Sequence, residues 1–357
     1  MEIPLGQHLR GFPGPILITG HTGFKGTWMT YLLEYLKVPV IGYSLEADKG
    51  SLFERIGRHG SIPEAIADIR DFEAFKLFIG LHRPSVIIHM AAQPLVLKSY
   101  VNPRETFDVN VMGTVNVLDA AFASNFVKKI VVVTSDKVYL NTNSGKHFKE
   151  SDSLEGKDPY SASKVGAESA VTAWQQLASL RQGPNVIAVR AGNVVGGGDW
   201  AINRLIPDII RSVLNSSPLS IRNPTSVRPW QHVLDPLVGY LLGTISLGAS
   251  ENYNSFNFGP SGKSVTVQEV VEISKKYYGD QLVVTYEEPR NQGESKVESL
   301  TLNLDSTKAL NLLNFRPKWD QIEAIERTFI WWEKVLSKKS SPEEMIIAEI
   351  KDYFSKS

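Results

Sequence analysis

The sequence predicts an α/β fold in which a doubly wound parallel sheet is joined to a smaller, mixed C-terminal lobe. Three observations predict it. Short runs rich in Val and Ile recur through the first half of the chain, helical patterns separate them, and a glycine-rich turn follows the first run. Continuous apolar runs are typical of parallel strands buried on both faces. Regular alternation of strand and helix places helices on both sides of one sheet.

The individual elements follow from these patterns. Strands are predicted at 15–20, 38–44, 85–91, 129–135 and 185–192, with a further strand ending at Asp68–Ile69. Apolar residues at helical spacing predict helices over 25–36, 72–81, 105–123 and 160–180. We therefore assign residues 1–192 to a dinucleotide-binding domain.

After residue 192 the sequence becomes rich in Gly, Pro and Arg, and irregular stretches separate the predicted helices at 205–214, 234–247, 266–278 and 321–337. We assign 193–357 mainly to a substrate lobe, with segments near 232–260 returning to the main sheet. The last residues, from about 337, predict a peripheral helix.

Composition restricts the class of function. The chain has 357 residues, 38 basic and 38 acidic side chains and no cysteine. A nucleic-acid or anionic-membrane surface normally needs a basic excess, so we expect neither partner. The absence of cysteine excludes disulfides and thiolate metal sites, and no His, Asp and Glu group has metal-ligand spacing, so we expect no metal. No run approaches a membrane span or signal peptide, which predicts a cytoplasmic protein.

The stretch TGHTGFKG places three glycines directly after the first strand and at the start of a helix. Glycines there let the backbone approach a pyrophosphate, whose charge is stabilised by helix N-terminal N–H groups. This context predicts dinucleotide binding. The expected contacts in and beyond this turn are Gly20, Thr22, Gly23, Phe24 and Gly26.

Further cofactor contacts are expected where later strands end. Ser44 and Glu46 follow the second strand, where an acid usually binds the adenosine ribose and selects NAD. A surface Glu is the alternative. Asp68 and Ile69 could reach the adenine, and the alternative is a simple helix cap before Asp71. The remaining pair is Ala91 and Ala92, small residues beside which a cofactor could lie.

Tyr160 and Lys164 stand four residues apart at a helix start, so both project from one face. A tyrosine has an ordinary pKa of about 10, which must fall before the phenolate can act as a base near neutrality. A nearby lysine favours that change. Together with the glycine turn, the pair indicates a redox enzyme site.

Here the chain resembles the extended short-chain dehydrogenase/reductase family, which has T-G-x-x-G-x-x-G (19–26), Y-x-x-x-K (160–164) and a Ser or Thr at the strand end, Ser135 in this chain. The resemblance covers nearly the whole chain. It implies a Rossmann domain and NAD-dependent oxidation of a sugar hydroxyl. Tyr160 would be the base, Lys164 would assist it and bind the nicotinamide ribose, and Ser135 would hydrogen-bond the sugar.

An epimerase of this family needs only those three residues, but here Asp136 and Lys137 follow the Ser. A sugar 4,6-dehydratase needs two more groups, a base for the C5 proton and an acid for the departing C6 hydroxyl. T-S-D-K resembles the cytidine diphosphate glucose 4,6-dehydratases, and so do DPYSASK (158–164) and RNPTSVRPWQHVLDPL (222–237). By that resemblance Asp136 is the acid and Lys137 the base. A surface ion pair is the alternative.

Arginine forks match phosphate oxygens in pairs, which makes Arg204 and Arg228 candidates for the sugar nucleotide's diphosphate. Asn193, Trp200 and Leu205 complete the expected substrate contacts, although Trp200 could instead fill the core. Two histidines, His89 and His232, are interpreted as buried packing residues rather than catalysts.

The sequence departs from the subfamily pattern at 296–298, where KVE replaces the expected His-Glu-Ala. The rival functions are a 4-epimerase or decarboxylase of the same fold and a non-catalytic dinucleotide sensor. The helices at 106–124 and 160–180 resemble the family's interface pair and predict a homodimer, or a tetramer built from dimers.

Overall fold

Seven parallel strands form one sheet at the centre of the protein, counted over residues 4–245, 255–286 and 301–355, which our computed structural model describes. The predicted doubly wound sheet is therefore confirmed. From one edge to the other the strands are β12 (Ser255–Phe258), β7 (Asn185–Ala191), β5 (Lys129–Val133), β4 (Val86–His89), β1 (Ile16–Thr19), β2 (Val40–Ser44) and β3 (Glu64–Ile66).

The strand order reverses between β1 and β4, which are direct neighbours in register from Ile16 opposite Val86 to Thr19 opposite His89. The connections from β1 lead toward one edge of the sheet, and those from β4 lead toward the other. A crevice forms at such a reversal, outside the carboxyl ends of the strands. This edge of the sheet is therefore where a ligand is expected.

Helices cover both faces of the sheet. In chain order they are α1 (Pro4–Leu9), α2 (Phe24–Tyr35), α3 (Leu52–Ile56), α4 (Phe72–His82), α5 (Val96–Val101), α6 (Pro103–Phe107), α7 (Gly113–Phe122), α8 (Pro159–Arg181), α9 (Leu205–Asn215), α10 (Leu234–Ile245), α11 (Val267–Tyr278), α12 (Thr307–Leu313), α13 (Gln321–Leu336) and α14 (Pro342–Ser355).

Short strands pair outside the main sheet. They are β8 (Val194–Val195) with β11 (Gln231–His232), β10 (Val227–Arg228) with β13 (Val265–Thr266), β9 (Leu219–Ile221) with β14 (Val284–Tyr286), and β6 (His147–Phe148) with β15 (Asn303–Leu304). Only the pairing of β10 with β13 is antiparallel among these described pairs.

Alternate residues of each central strand belong to two different cores. Ile16 and Ile18 of β1 lie in the larger core, and Leu17 between them lies in the core on the opposite face. All three side chains are fully buried. Burial on both faces explains why the strand sequences are continuously apolar, and each such side chain contributes roughly 1.5–3 kcal/mol.

Two elements differ from the sequence prediction. The third strand ends at Ile66, so Asp68 and Ile69 lie in the connection that follows it. The single helix predicted over 105–123 is interrupted by a π-helical turn, Asp108–Met112, between α6 and α7. Such turns occur frequently at functional sites, and helical spacing does not reveal them.

The C-terminal helix α14 packs against the main domain through buried polar contacts as well as apolar ones. The Tyr353 hydroxyl donates to Asp235 Oδ1 at 2.9 Å, and Glu349 Oε2 lies 3.0 Å from His232 Nε2. His232 is completely buried, as the sequence analysis expected of a packing residue. Across the described residues, no helix is both long enough and apolar enough to span a membrane.

Candidate active site

The glycine turn brings the end of β1 into close contact with the end of β4. Gly20 has a φ of +76°, and a Cβ atom there would lie 2.8 Å from the Ala91 nitrogen. A Cβ at Gly26 would lie 2.1 Å from the Gly20 carbonyl oxygen. Neither position can hold a larger residue, so the turn depends on glycine for its shape.

The N-terminus of α2 is open toward this turn. Gly23 is its N-cap residue, is exposed, and supplies no side-chain hydrogen bond to the helix N–H groups. Open helix N–H groups beside a backbone without side chains fit the pyrophosphate of a dinucleotide. Phe24, the first residue of α2, is half-buried against the larger core.

The residues expected near the adenosine lie in two separate places. Thr22 is buried, and its hydroxyl lies 2.8 Å from the Ser44 hydroxyl and donates to the Leu45 carbonyl. The Glu46 carboxylate is mainly exposed and lies 2.8 Å from His59 Nε2. Glu46 thus follows β2 at the expected edge of the sheet, but it faces the surface.

The cofactor contacts expected after β3 and β4 also lie in separate places. Arg70 donates to both carboxylate oxygens of Asp68, and this hydrogen bonding lowers the Asp68 pKa. Ile69 is buried against Gly113. Ala91 and Ala92 are half-buried just past the end of β4, and Ala91 lies beside Gly20. The structure therefore joins Ala91 to the glycine turn and directs the Asp68 carboxylate toward Arg70.

Ser135 and Asp136 lie buried at the carboxyl end of β5. The Ser135 hydroxyl caps a short 3₁₀ turn by accepting from the Lys137 N–H at 3.2 Å, and it donates to Asp136 Oδ1 at 3.1 Å. The other carboxylate oxygen, Asp136 Oδ2, is buried and has no hydrogen-bond partner. Lys137 is half-buried.

Burial raises the pKa of Asp136 to about 6, against the opposing effects of Lys137, Ser135 and Arg228. An acid in this position needs a raised pKa to donate a proton near neutrality, and the Asp136 environment meets this condition. A carboxyl group of this kind is partly protonated near neutrality and can donate a proton.

Tyr160 and Lys164 project from the first turns of α8 toward the same strand end. The helix start is fixed by Pro159 and by a capping box in which Asp158 and Ser161 bond each other's backbone. Both catalytic candidates are buried. The Lys164 Nζ donates to the Val133 carbonyl at 3.1 Å.

Burial shifts the pKa values of Tyr160 and Lys164 in opposite directions. Burial raises the pKa of Tyr160 to about 12, whereas hydrogen bonding to Ser135 and the charge of Arg204 lower it. Burial lowers the pKa of Lys164 to about 8, although Glu168 opposes this effect. The charge of Arg204 is thus one that favours the Tyr160 phenolate.

The predicted diphosphate arginines both lie near catalytic candidates. Arg204 donates to Asp199 Oδ2 at 3.1 Å, and this ion pair raises the Arg204 pKa. The Arg228 charge acts on Asp136. The structure thus brings Arg204 toward Tyr160 and Arg228 toward Asp136.

The other expected substrate contacts are Trp200, Leu205 and Asn193. Trp200 is stacked between the guanidinium groups of Arg55 and Arg211, 4.6 and 5.1 Å from its ring centre, and it also packs against Trp332. Leu205 begins α9 and packs on the larger core. Asn193 is half-buried two residues past the end of β7, and its carbonyl accepts from the Gln231 N–H.

Two residues of this site were not predicted from the sequence. Lys25 lies inside the glycine turn, with its amine 3.5 Å from the Tyr240 hydroxyl. Burial, followed by the charges of Lys164 and Arg204, lowers the Lys25 pKa to about 7. The sequence signal for Lys25 was its position, because it is a basic residue inside a predicted dinucleotide-binding turn.

The second missed residue is Asn110 in the π-helical turn. Its side-chain nitrogen donates to the Ser163 hydroxyl at 2.9 Å, and Ser163 donates to the Tyr160 carbonyl at 2.7 Å. A buried asparagine in an otherwise amphipathic helix was the available signal. Residues 296–298, where the sequence departs from its subfamily, lie outside the described residues. No three metal-ligating side chains gather in the part that is described.

A Rossmann sheet that carries a glycine turn and a Ser–Tyr–Lys set at its point of reversal defines an extended short-chain dehydrogenase/reductase. The family profile described as GDP-mannose 4,6 dehydratase matches residues 17–328, and the chain belongs to that family. This confirms the resemblance found in the sequence.

The chain is 40% identical over 353 residues to a CDP-glucose 4,6-dehydratase of Salmonella typhimurium, covering 95% of this chain and 96% of that protein. It is 26% identical to a UDP-glucose 4-epimerase of Lacticaseibacillus casei, covering 75% and 82%. Among solved structures, it resembles a dTDP-glucose 4,6-dehydratase double mutant from Streptomyces venezuelae with NAD bound, at a TM-score of 0.76 and 25% identity over 90% of this chain and 98% of that one. An epimerase from Methanothermobacter thermautotrophicus gives 0.80 and 26% over 94% and 98%.

Proposed function

We propose that the protein is an NAD-dependent CDP-glucose 4,6-dehydratase, a hydro-lyase that converts CDP-D-glucose to CDP-4-keto-6-deoxy-D-glucose and water. The observation that carries the proposal is Asp136, a buried carboxyl group beside Ser135 and Lys137 that retains one oxygen without a hydrogen-bond partner. The 40% identical relative supports the same chemistry and the cytidine nucleotide.

The residues that would hold the dinucleotide are those of the glycine turn and its surroundings. The open N-terminus of α2 suits the pyrophosphate, and the close approach of Gly20 to Ala91 leaves backbone on which the cofactor can lie. Thr22, Ser44 and Glu46 are proposed for the adenosine side. Bound NAD would supply the acceptor that takes the C4 hydrogen as hydride and returns it to C6, and a positive ring charge that favours the Tyr160 phenolate.

The chain's own groups account for the proton transfers. Tyr160 removes the proton of the C4 hydroxyl, and Ser135 hydrogen-bonds the same oxygen. The resulting ketone makes the C5 hydrogen acidic, so Lys137 can remove it. The C6 hydroxyl leaves as water with a proton from Asp136 Oδ2. At the end Lys137 returns a proton to C5.

We assign the sugar nucleotide's diphosphate to Arg204 and Arg228, whose charges already act on Tyr160 and Asp136. Asn193, Trp200 and Leu205 are proposed as further contacts. Because Trp200 is stacked between two guanidinium groups, its contribution would be to hold the loop that carries Arg204 rather than to stack on the base.

An epimerase is the second candidate, since epimerases are among the similar proteins. A 4-epimerase returns hydride to C4 and has no use for an acid at C6 or a base at C5. Asp136 and Lys137 therefore favour the dehydratase. A non-catalytic dinucleotide sensor has no need of Tyr160 and Lys164, which are both buried in the site.

The test is incubation of the purified chain and NAD with the diphosphate-glucose derivatives of cytidine, thymidine, uridine and guanosine, and with GDP-mannose. Mass spectrometry reads the product. We expect loss of one water from the cytidine compound alone. Loss of water from another nucleotide would retain the catalytic roles and change the base. Absence of water loss from every nucleotide, with a Lys137→Met variant giving the same products as the parent, would reject the dehydratase.

We further propose that the protein forms a homodimer, or a tetramer of two dimers, through the face built from α5, α6, α7 and α8. Large apolar side chains are exposed on α5, α6 and the π-helical turn, which pack beside α8, at Leu97, Tyr100, Val101, Phe107 and Met112. Exposed apolar clusters of this kind are typical of interfaces. Solution scattering should give a dimeric mass that Val101→Lys reduces to a monomer, while a monomeric parent would reject the interface.

The proposed compartment is the cytoplasm, where NAD and nucleoside diphosphate sugars are available, and cell fractionation tests it. The keto-deoxy sugar would then supply deoxysugar synthesis, as for lipopolysaccharide.

A further inference from the structure

A chain of buried hydrogen bonds connects the end of β1 to the helix that carries Tyr160, and His89 lies in it. His89 Nδ1 is 2.7 Å from the Thr19 hydroxyl, and its Nε2 is 3.2 Å from the Thr114 hydroxyl. All three side chains are at most 2% exposed. The proposed chemistry uses none of them.

The partners of the two hydroxyls determine which nitrogen of His89 carries the proton. The Thr19 hydroxyl accepts from the backbone N–H groups of Met90 and Ala91, at 3.1 and 3.2 Å. A hydroxyl oxygen accepts two hydrogen bonds and donates one, so Thr19 must donate to His89 Nδ1. Nδ1 is therefore unprotonated.

The other side of the ring leads to the same conclusion. The Thr114 hydroxyl donates its hydrogen to the Asn110 carbonyl at 2.7 Å, so toward His89 it can only accept. His89 Nε2 must then carry the hydrogen. The Nε2–H tautomer satisfies every group, whereas the alternative leaves Thr19 with three donors.

His89 keeps this neutral form because burial, followed by the charge of Lys164, lowers its pKa to about 3. Its two partners belong to different parts of the site. Thr19 fixes the Met90 and Ala91 amides beside Gly20, where the dinucleotide is proposed to lie. Thr114 leads through Asn110 to the α8 helix.

The connection beyond Thr114 is continuous. Asn110 exchanges hydrogen bonds with the Gln93 backbone, at 2.8 Å from its N–H and 3.1 Å to its carbonyl, and donates to Ser163. Ser163 donates to the Tyr160 carbonyl. The π-helical turn that contains Asn110 therefore lies between the cofactor side and the tyrosine side of the site.

We propose that His89 is a positioning residue, which as the neutral Nε2–H tautomer fixes the backbone beneath the dinucleotide relative to the helix that orients Tyr160. This inference rests on the proposed function, because it assumes that a dinucleotide lies beside Ala91. Positioning groups of this kind change affinity or activity without contacting the reacting atoms.

Four variants separate the two halves of the connection. Thr19→Val removes the hydroxyl on the cofactor side and Thr114→Val removes the one on the tyrosine side, each with little change of shape. His89→Asn retains an acceptor near the place of Nδ1, and His89→Gln retains a donor near the place of Nε2. Thr328→Val is the matched control, since Thr328 is fully buried and donates only within its own helix, to Ala324.

The first readout is the dissociation constant for NAD, measured by titration calorimetry on the full chain. We expect Thr19→Val and His89→Gln to weaken NAD binding about tenfold, as removal of one hydrogen bond near a ligand commonly does. Thr114→Val and His89→Asn should leave it within about twofold. With CDP-glucose at saturating NAD, these two should lower kcat about tenfold with KM unchanged.

A purely structural role predicts that all four variants behave like Thr328→Val, with a lower Tm but unchanged NAD affinity and kcat, and this result would overturn the proposal. If the valine variants do not fold, the two His89 variants still separate the effect on NAD affinity from the effect on kcat. If the parent binds NAD but dehydrates no sugar nucleotide, the dehydratase assignment fails, while the calorimetry of Thr19→Val and His89→Gln still decides the role of His89. A parent that does not bind NAD would reject both.

Discussion

Two buried polar clusters lie next to each other along α8, and their hydrogen bonding differs. The first contains Asp136, Tyr160 and Lys164 at the strand ends. The second surrounds Glu168, one helical turn after Lys164, where Arg190 donates to both carboxylate oxygens at 2.8 Å. Thr134 donates to Glu168 as well, at 2.5 Å. In the second cluster each oxygen of Glu168 has a partner, whereas Asp136 Oδ2 in the first has none.

This difference in hydrogen bonding indicates that the second cluster stabilises the fold and that the first acts on a ligand. A buried ion pair with complete hydrogen bonding orients the elements that carry it. A buried carboxyl group with a raised pKa and an unused oxygen costs stability, and such costs are typical of catalytic groups. Location matters too, because Asp235 also has a raised pKa of about 6 but lies under α14.

The largest expected effect is on turnover. Asp136→Asn keeps the shape of the side chain but removes the acid, so we expect kcat to fall roughly 10²–10⁴-fold. Mass spectrometry of the dehydrated product measures it. The matched control is Asp235→Asn, which changes an equally buried acid away from Tyr160 and should keep kcat within a few-fold. Equal losses in both variants would remove the distinction between the clusters.

A substitution in the second cluster should lower the free energy of unfolding instead. Arg190→Met leaves Glu168 buried without its cation, which is expected to cost about 3–5 kcal/mol of unfolding free energy. Urea denaturation followed by circular dichroism measures the loss. The double variant Glu168→Met with Arg190→Met should lose less than the single one, since no charge remains unpaired. A single variant of parental stability would show that the pair does not hold α8 to the sheet.

The free energy of unfolding should also depend on pH through Asp136. The Asp136 pKa is about 6 in the folded chain and 3.8 as the ordinary value. Because the folded value is higher, the protonated Asp136 carboxyl stabilises the folded chain fully below about pH 4. This contribution to the free energy of unfolding is lost as pH rises through 6. Asp136→Asn should therefore match the parent near pH 4 and exceed it by about 3 kcal/mol at pH 8. A constant difference between these pH values would contradict the raised pKa.

The smallest effect is expected at the edge of the second cluster. The Tyr139 hydroxyl donates to Asn257 Oδ1 at 2.7 Å and accepts from Arg190. Tyr139→Phe removes both bonds and should cost about 1–2 kcal/mol of unfolding free energy. Thermal unfolding measures it, with turnover at 25 °C as the control. If turnover fell and stability did not, Tyr139 would belong to the catalytic cluster instead.

The sequence predicted the sheet because its physical signals are local. Ile16, Leu17 and Ile18 are apolar since each contacts one of two cores, and the glycines after them have no room for a Cβ. Asp136 and Lys137 could be identified from the stretch T-S-D-K through its resemblance to the family. Their roles remain proposals.

Other features depend on contacts between distant segments, which a single sequence does not display. The Arg204 charge on Tyr160, the stacking of Trp200 between Arg55 and Arg211, and the pairing of Glu46 with His59 all join residues far apart in the chain or on separate elements. The π-helical turn has the same apolar spacing as an ordinary helix, so spacing predicted one continuous helix there.

The most direct test of the proposed dehydration follows hydrogen isotopes through one turnover. The purified chain, with NAD, is given CDP-glucose that carries deuterium at C4 in ordinary water, and the product is analysed by mass spectrometry and NMR. The account predicts a 4-keto-6-deoxy sugar in which the deuterium has moved to C6, and unlabelled CDP-glucose turned over in D₂O should give the same product with deuterium at C5. Deuterium retained at C4 in an epimerised sugar, with no water lost, would contradict it.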